Sequence, residues 1–467
     1  MSTIAQLLVR RWHGLPASDI PERILAHAAL CMEDTVGVAL CALAQGAGTP
    51  GVKVARQAGA GPVTVWGAGF GAPVDDAAFA NGMLSHAMDF DDLHAAAVMH
   101  SSAPIVCTTL ALAQLTRAVP REMLAAAVVG YEVAARLGRL APGAFQRHGF
   151  QSTAVLGTFA TTAIAARLFG LDEAQALHAL GIAGSMASGL MECLADGSDV
   201  KQMHPGWSAV AGIRAARLAR AGMTGPASVF EGRDGVFRSF ARTEVDASRV
   251  DAAIGSPWEV ELMGPKPYPA CLCLHPQVQA MLALRARGVV SAERIDDIEE
   301  IACDVPELYA RLVHEPREEK LAVRTPYAAR FSAPYCMARA LIDGRLDAAA
   351  FGEAARSDPR ARAIAGRVTH RVADLPEYPA SFPARVRVRL RGGETHEAYV
   401  AHNLGSPGNP MDAAQIGAKF IACTAPAVGE AAAERLQQAL RALPTARSTH
   451  VLEAALAAAT VAEESWK

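Results

Sequence analysis

The stretch LGTFATTAIAARLFGLDEAQALHALGIAGSMASGLM, residues 156–191, decides the fold. Its apolar and small residues run round every face of two adjoining helices that break at Gly170, and Asp172 supplies the cap of the second. Both helices are too apolar to lie on a surface, so they form the centre of an all-helical core. Outward from that centre, residues 21 to about 247 continue as helix upon helix, rich in alanine and glycine, with Ser18 expected to cap the helix IPERILAHAALCMEDTVGVAL. Around Gly264 the character changes: GPKPYPAC places three prolines in a few residues, and strand patterns follow. ARVRVRLRGGETHEAYVAH alternates from Arg385 to Leu390, turns at 391–394 and resumes, which is a hairpin pattern, and IDDIEEIACDVPEL offers another strand. After GSPGNPM the composition becomes helical again. The expected fold is mainly α: a large all-helical domain from residues 1–264 with 406–467, and a smaller α/β domain from 265–405. No repeat of solenoid period is present.

Half of the 467 residues are apolar, enough for two or three cores, and 44 basic against 47 acidic residues leave a net charge of −3 without long runs. That balance argues against a nucleic-acid partner. Nine cysteines, an odd number without repeated spacing, suggest reduced thiols in a cytoplasm; Cys271 and Cys273 are the one close pair and lack a zinc-ligand pattern. The arginines near the N-terminus follow a short apolar stretch where a signal peptide places them before a longer one, and the longest uncharged stretch carries too many polar groups for a bilayer. A cytoplasmic protein with no membrane partner is expected.

Four polar constellations stand out. SHAMDFDDLHAAAVMHSS holds His86, Asp89, Asp91, Asp92, His94 and His100. A helix ending near Asp92 would put His86 and Asp89 on one face and leave His94 and His100 to a loop. Acid–base work on a carbon acid wants such a set, an imidazole with a carboxylate to tune it; capping by Asp91 and Asp92 and a solvated His94 are the plainer readings. In DGSDVKQMHPGW, Lys201 and His204 follow a glycine-containing turn and precede a helix, whose N-terminus favours a carboxylate ligand. Lys266 is held between two prolines, and Tyr335 lies beside Arg330 in ARFSAPYC, where packing of the ring is the plainer reading. GAGFGA, residues 67–72, lacks the context of a phosphate loop, and no Walker, GxSxG or HExxH motif occurs. No metal and no organic cofactor are expected.

Taken in order, EDTVGVAL, ANGMLSHAMDFDD, HSSAP, GYEVAARLG, GTFATTAIAARLFGLDEAQALHALGIAGS, KQMHPGW, GPKPYPAC, RFSAPYC and GNPM resemble the MmgE/PrpD superfamily over nearly the whole chain. That superfamily includes 2-methylcitrate dehydratases, cis-aconitate decarboxylases and iminodisuccinate epimerases. The resemblance implies a helical domain with a small α/β lid, an active site between them, cofactor-free chemistry on a small di- or tricarboxylate, and a homodimer. Motif matching carries the family's active-site groups onto Asp89, His100, Lys201, Lys266 and Tyr335. This chain departs from the pattern at Leu93, where threonine is common, and at Gln151 and Cys271, where histidines occur in other members.

The implied chemistry moves a proton at a carbon flanked by carboxylates. His100 oriented by Asp89 is the expected base or acid, Tyr335 the second proton carrier, and His204 the rival imidazole. Lys201 and Lys266 are expected to hold carboxylates, beside Gln151 and Cys271, and truncating either lysine is expected to spare the fold. The leading expectation is a hydro-lyase of the 2-methylcitrate dehydratase type; an epimerase, a decarboxylase and a non-catalytic helical binding protein are the alternatives.

Overall fold

The computed structural model describes residues 2–193, 198–250, 257–378 and 381–466. The protein is mainly α, and its chain divides into two compact units: residues 1–87, 91–265 and 412–467 form one, residues 88–90 and 266–411 the other.

The first unit is built on α1 (Glu22–Ala44), α2 (Val74–His86), α3 (Ser102–Thr116), α4 (Pro120–Leu140), α5 (Ser152–Leu168), α6 (Glu173–Ala183) and α7 (His204–Arg220). The helices read from residues 156–191 are α5 and α6. Gly170 separates them with φ +67°, and Asp172 accepts the amide of Gln175 in a capping box. In α5, fourteen of seventeen residues are buried. Its threonines do not contradict that burial, because Thr158 and Thr162 donate to carbonyls one turn back, at 3.0 and 2.6 Å, and Thr161 reaches the Ser208 carbonyl at 2.6 Å.

That last bond marks how closely α5 and α7 approach. A Cβ added to Gly212 would lie 2.2 Å from Thr161 Oγ1 and 2.5 Å from the Thr162 amide nitrogen. The obstacle includes backbone, which cannot turn aside as a side chain can. Gly212→Ala is therefore expected to cost about 1–3 kcal/mol through overpacking, read as a lower urea midpoint at unchanged helical content.

The expected cap at Ser18 is corrected. The helix starts at Glu22, and Ser18 sits in the short turn Ala17–Asp19 with its hydroxyl donating to Asp19. A residue before proline is pushed out of the helical region, so Ile20 is extended and α1 begins only after Pro21. The helix α1 is long and apolar enough to cross a membrane by composition, yet most of it is buried within the unit and it carries the buried Glu33 and Asp34. GAGFGA spans the tight turn of a small hairpin between Val63–Val65 and Phe70–Ala72.

In the second unit, β1 (Ile298–Val305), β2 (Val368–Val372), β3 (Ala384–Leu390) and β4 (Thr395–Val400) form one sheet in the order β2-β1-β3-β4. β1 and β2 are parallel and the other pairs antiparallel, with Ala384 opposite Val400 and Arg389 opposite Thr395. Val386 and Val388 are buried while the arginines that alternate with them face carboxylates: Arg387 lies 2.8 Å from Asp304, and Arg389 2.9 Å from Glu299. The core of this unit also takes in α8 (His275–Ala286) and α9 (Ala333–Asp343).

Residues 412–467 then return to the first unit as α10 (Ala413–Val428) and α11 (Glu430–Arg441). Lys419 pairs with Asp34 at 2.7 Å and Arg441 with Glu33 at 2.7 Å, so the two buried carboxylates of α1 are neutralised from the far end of the chain.

Candidate active site

Four helix ends of the first unit bring the titratable groups together. α2 ends on His86, six residues short of the expected end near Asp92. The chain then reverses through Asp89, which adopts φ +51°, the left-handed region that short polar side chains tolerate. His100 stands just before α3, Gln151 is the N-cap of α5, and His204 is the first residue of α7. Three helix N-termini are thus directed at one cluster, an environment that favours an anion.

Within it, His86 Nδ1 lies 2.7 Å from Asp91 Oδ2 with both side chains fully buried. His100 Nδ1 lies 2.9 Å from the Asp92 carbonyl and 3.4 Å from the same Asp91 oxygen. The two rings meet edge to face at 4.8 Å. Gln151 Nε2 is 3.1 Å from His86 Nε2, and its Oε1 is hydrogen-bonded to His204 Nδ1. Burial, then His86 and Lys201, hold His204 far below the ordinary imidazole range, at about 3, so it is neutral at working pH. Because the Nδ1 proton of His100 is committed to a carbonyl and a carboxylate, the basic nitrogen of its neutral ring is Nε2.

Asp91, and not the expected Asp89, is the carboxylate beside His86 and His100. The reason is the reversal at residue 89, which breaks the helical spacing that would have joined Asp89 to His86. The Asp89 carboxylate is engaged inside the second unit: Lys266 Nζ lies 3.1 Å from Asp89 Oδ2 and donates to the Asp89 carbonyl at 2.7 Å, with Lys266 only 1 % exposed. Lys266 is therefore not a solvated connector lysine, and its burial and pairing weigh against the expectation that its truncation spares the fold. Cys271 is buried in the same unit, its thiol drawn below the usual range by a hydrogen bond from Cys273 and, more weakly, by Lys266.

Tyr335, expected as the second proton carrier, is placed in the second unit. It is 2 % exposed in the apolar core there, its hydroxyl donates to the Ala350 carbonyl, and burial pushes the phenol well above its usual range. Its neighbour Arg330 donates to the Pro269 carbonyl at 2.6 Å. His94 is not solvated: it accepts the Ala97 amide at Nδ1 and donates from Nε2 to Glu259 at 3.0 Å, a buried structural imidazole. Lys201 lies in the short turn Val200–Met203 leading into α7 and is 8 % exposed; the glycine of the turn expected before it, Gly197, lies outside the described residues.

Sequence reasoning left His86, Asp91 and Asp92 out of the site although it had singled them out in the cluster. The available signal was HSS: Ser102, two residues after His100, donates its amide to Asp92 Oδ1 at 3.3 Å and its hydroxyl to Oδ2. Burial, reinforced by Asp34 and Asp91, pushes the Asp92 acid up to about 8 against the pull of Ser102. A carboxyl raised above its unfolded value near 4 contributes stability that is full below that value and is lost as pH rises through the folded value. Asp92→Asn keeps the shape without the proton. Its urea midpoint relative to the unaltered protein is expected to rise between pH 5 and pH 8.5; a constant difference would show that Asp92 is ionised throughout.

One donor atom from each of His86, Asp91 and His100 lies within 4.8 Å of the others. Zinc holds nitrogen and oxygen at about 2.0–2.2 Å, so two of its ligands stand at most about 4.4 Å apart. The imidazole Nδ1 protons already bond to Asp91 and the Asp92 carbonyl, and a metal would have to displace them. The arrangement fits proton handling better than metal ligation.

The first unit carries paired imidazoles and carboxylates at helix ends, and a separate α/β unit follows it in the chain. The chain matches the MmgE/PrpD N-terminal domain over residues 6–247 and the MmgE/PrpD C-terminal domain over 268–445, and it belongs to the MmgE/PrpD family. It is 26 % identical to cis-aconitate decarboxylase of Mus musculus across 97 % of this chain and 93 % of that protein. It is 27 % identical to cis-aconitate decarboxylase of Homo sapiens, across 85 % and 82 %. It is also 27 % identical to the cis-aconitate decarboxylase-like protein oryM of Aspergillus oryzae, across 70 % and 71 %.

Proposed function

We propose that the protein is a cofactor-independent lyase acting at the carbon next to a carboxylate of a small polycarboxylic acid, and that it releases carbon dioxide from a cis-aconitate-like tricarboxylate. The observation that carries the choice is the number of imidazoles in the cluster that are open to a bound acid. In the cluster of the first unit, His100 alone combines a basic Nε2 with partial exposure, 13 % for its side chain. His204 is held neutral, Gln151 does not titrate, and both nitrogens of His86 are engaged by Asp91 and Gln151. Decarboxylation needs one such group: the carbon–carboxylate bond breaks, carbon dioxide leaves, and the electron pair left on carbon takes one proton. Dehydration needs a base for the carbon proton and an acid for the departing hydroxyl, and epimerisation needs a group on each face.

In this reading His100 first takes a proton from solvent at Nε2 and delivers it to the carbon, and the Lys201 ammonium, beside the N-terminus of α7, binds a remaining carboxylate and offsets the charge that develops on the carbon framework. The relatives named for cis-aconitate decarboxylation support the substrate class, while Leu93, Gln151 and Cys271 set this chain apart within the family.

The test incubates the protein with cis-aconitate, 2-methylcitrate and an iminodisuccinate in deuterated buffer, before and after dialysis against a chelator. Carbon dioxide release with one deuterium retained in the product from cis-aconitate, unchanged by dialysis, is the expected outcome. Water loss from 2-methylcitrate alone would establish the hydro-lyase, exchange without net conversion the epimerase, and no turnover of any acid the non-catalytic binding protein. Loss of activity restored by a divalent ion would turn His86, Asp91 and His100 into metal ligands.

A further inference from the structure

The His86–Gln151–His204 chain has a direction, and the direction comes from one end. With Asp91 as a carboxylate it can only accept, and the nitrogen of His86 facing it at 2.7 Å then carries the proton. Neutral His86 then has its lone pair on Nε2, and the group 3.1 Å away must be the amide nitrogen of Gln151, which donates. The amide oxygen is thereby turned to His204 Nδ1, which must itself donate. Each assignment follows from the one before it.

We infer that Gln151 locks the tautomers of the two histidines to each other, so that a proton gained by His86 changes which nitrogen of His204 is basic. With His86 neutral, His204 is the Nδ1–H tautomer and Nε2 holds its lone pair. If His86 takes a proton at Nε2, two donors face each other until the carboxamide turns over and presents its oxygen to His86. The amide nitrogen then points at His204 Nδ1, which becomes an acceptor only by losing its proton to water while Nε2 gains one from water. His204 stays neutral in both states, as its burial demands, and one proton has been added in all, on His86. Gln151 acts through the two rings and is a positioning residue. A histidine at position 151 would titrate in its own right and would not enforce this exchange, which gives the departure at this position a physical meaning.

The groups facing the two rings are Asp91, His100 and Lys201, with Asp92 and Asp34 beyond Asp91. The experiment is nitrogen-15 spectroscopy of the intact protein labelled in its histidine rings, with His86 and His204 assigned from the signals missing in His86→Asn and His204→Asn. No substrate is needed, so the result is independent of the proposed lyase activity.

In the unaltered protein with His86 neutral, both rings are expected as nearly pure Nδ1–H tautomers, and whatever step protonates His86 is expected to move His204 to Nε2–H with it. In Gln151→Leu the lock is absent, and the Nδ1–H share of His204 falls to a minority at every pH. In Gln151→Glu, of the same shape, a carboxylate that can only accept faces both rings; His204 keeps Nδ1–H while His86 Nε2 becomes protonated. The glutamate variant gives the answer if the leucine variant does not fold. Wild-type tautomers in both variants, or a His204 signal that ignores the protonation of His86, would overturn the inference.

Discussion

His100→Gln is expected to lower turnover roughly 10²–10⁴-fold, the range that a positioned proton carrier supplies. Glutamine preserves a polar side chain of similar reach and can donate to the Asp92 carbonyl, 2.9 Å from Nδ1 in the native ring, so the loop before α3 has no reason to rearrange. What it lacks is a ring nitrogen that can accept and return a proton. The loss should therefore fall on kcat with little change in KM, and deuterium incorporation from solvent should collapse in parallel. His204→Gln should slow the reaction less, because a ring already held neutral at about 3 has no proton to deliver. Near-native deuterium incorporation by His100→Gln would remove His100 from the role and leave Lys201 as the next group to test.

Lys266→Ala is expected to cost about 3–5 kcal/mol of stability, the price of leaving one member of a buried ion pair without the other. Lys266 and Asp89 expose 1 % and 3 % of their side chains, and the ammonium also serves the Asp89 carbonyl, so truncation removes the same cation from a buried carboxylate and a carbonyl. A partner change separates this from simple loss of packing. Asp89→Asn removes the charge while suiting the left-handed backbone at φ +51°, so the double variant Lys266→Ala/Asp89→Asn should be more stable than Lys266→Ala alone. Equal midpoints for the protein with and without Lys266 would show that the pair contributes nothing.

The helical character was legible because it rests on local pattern: the apolar run of α5 and α6, the break at Gly170 and the cap at Asp172 involve neighbours in sequence. The β3–β4 hairpin was legible for the same reason, since alternation and a Gly-Gly turn are local. β2 was not, because Val368–Val372 has one buried position in five and earns its place by pairing with β1, more than sixty residues earlier.

The candidate site divides along the same line. A cluster of histidines and carboxylates around residues 86–100 could be seen, but not which carboxylate meets which ring, because the positive φ at Asp89 resets the register between them. Gln151 and His204 lie far along the chain from His86, and only packing of α5 and α7 brings them to it. For Tyr335 the plainer reading, packing of the ring, agrees with its burial, and nothing in ARFSAPYC distinguished a phenol facing a carbonyl from one facing a ligand.

The ion pairs that α10 and α11 make with α1 set a timetable for synthesis. Glu33 and Arg441 are 408 positions apart, so at about 5–20 residues per second a nascent chain waits roughly 20–80 s between making the carboxylate and making the guanidinium that neutralises it. During that interval α1 has two acidic groups on a surface destined for burial and an apolar groove where Phe420 will lie against Gly37. A chain that ends inside the α/β unit would lack Lys419, Phe420 and Arg441, and so the cations and the ring that cover this face of α1.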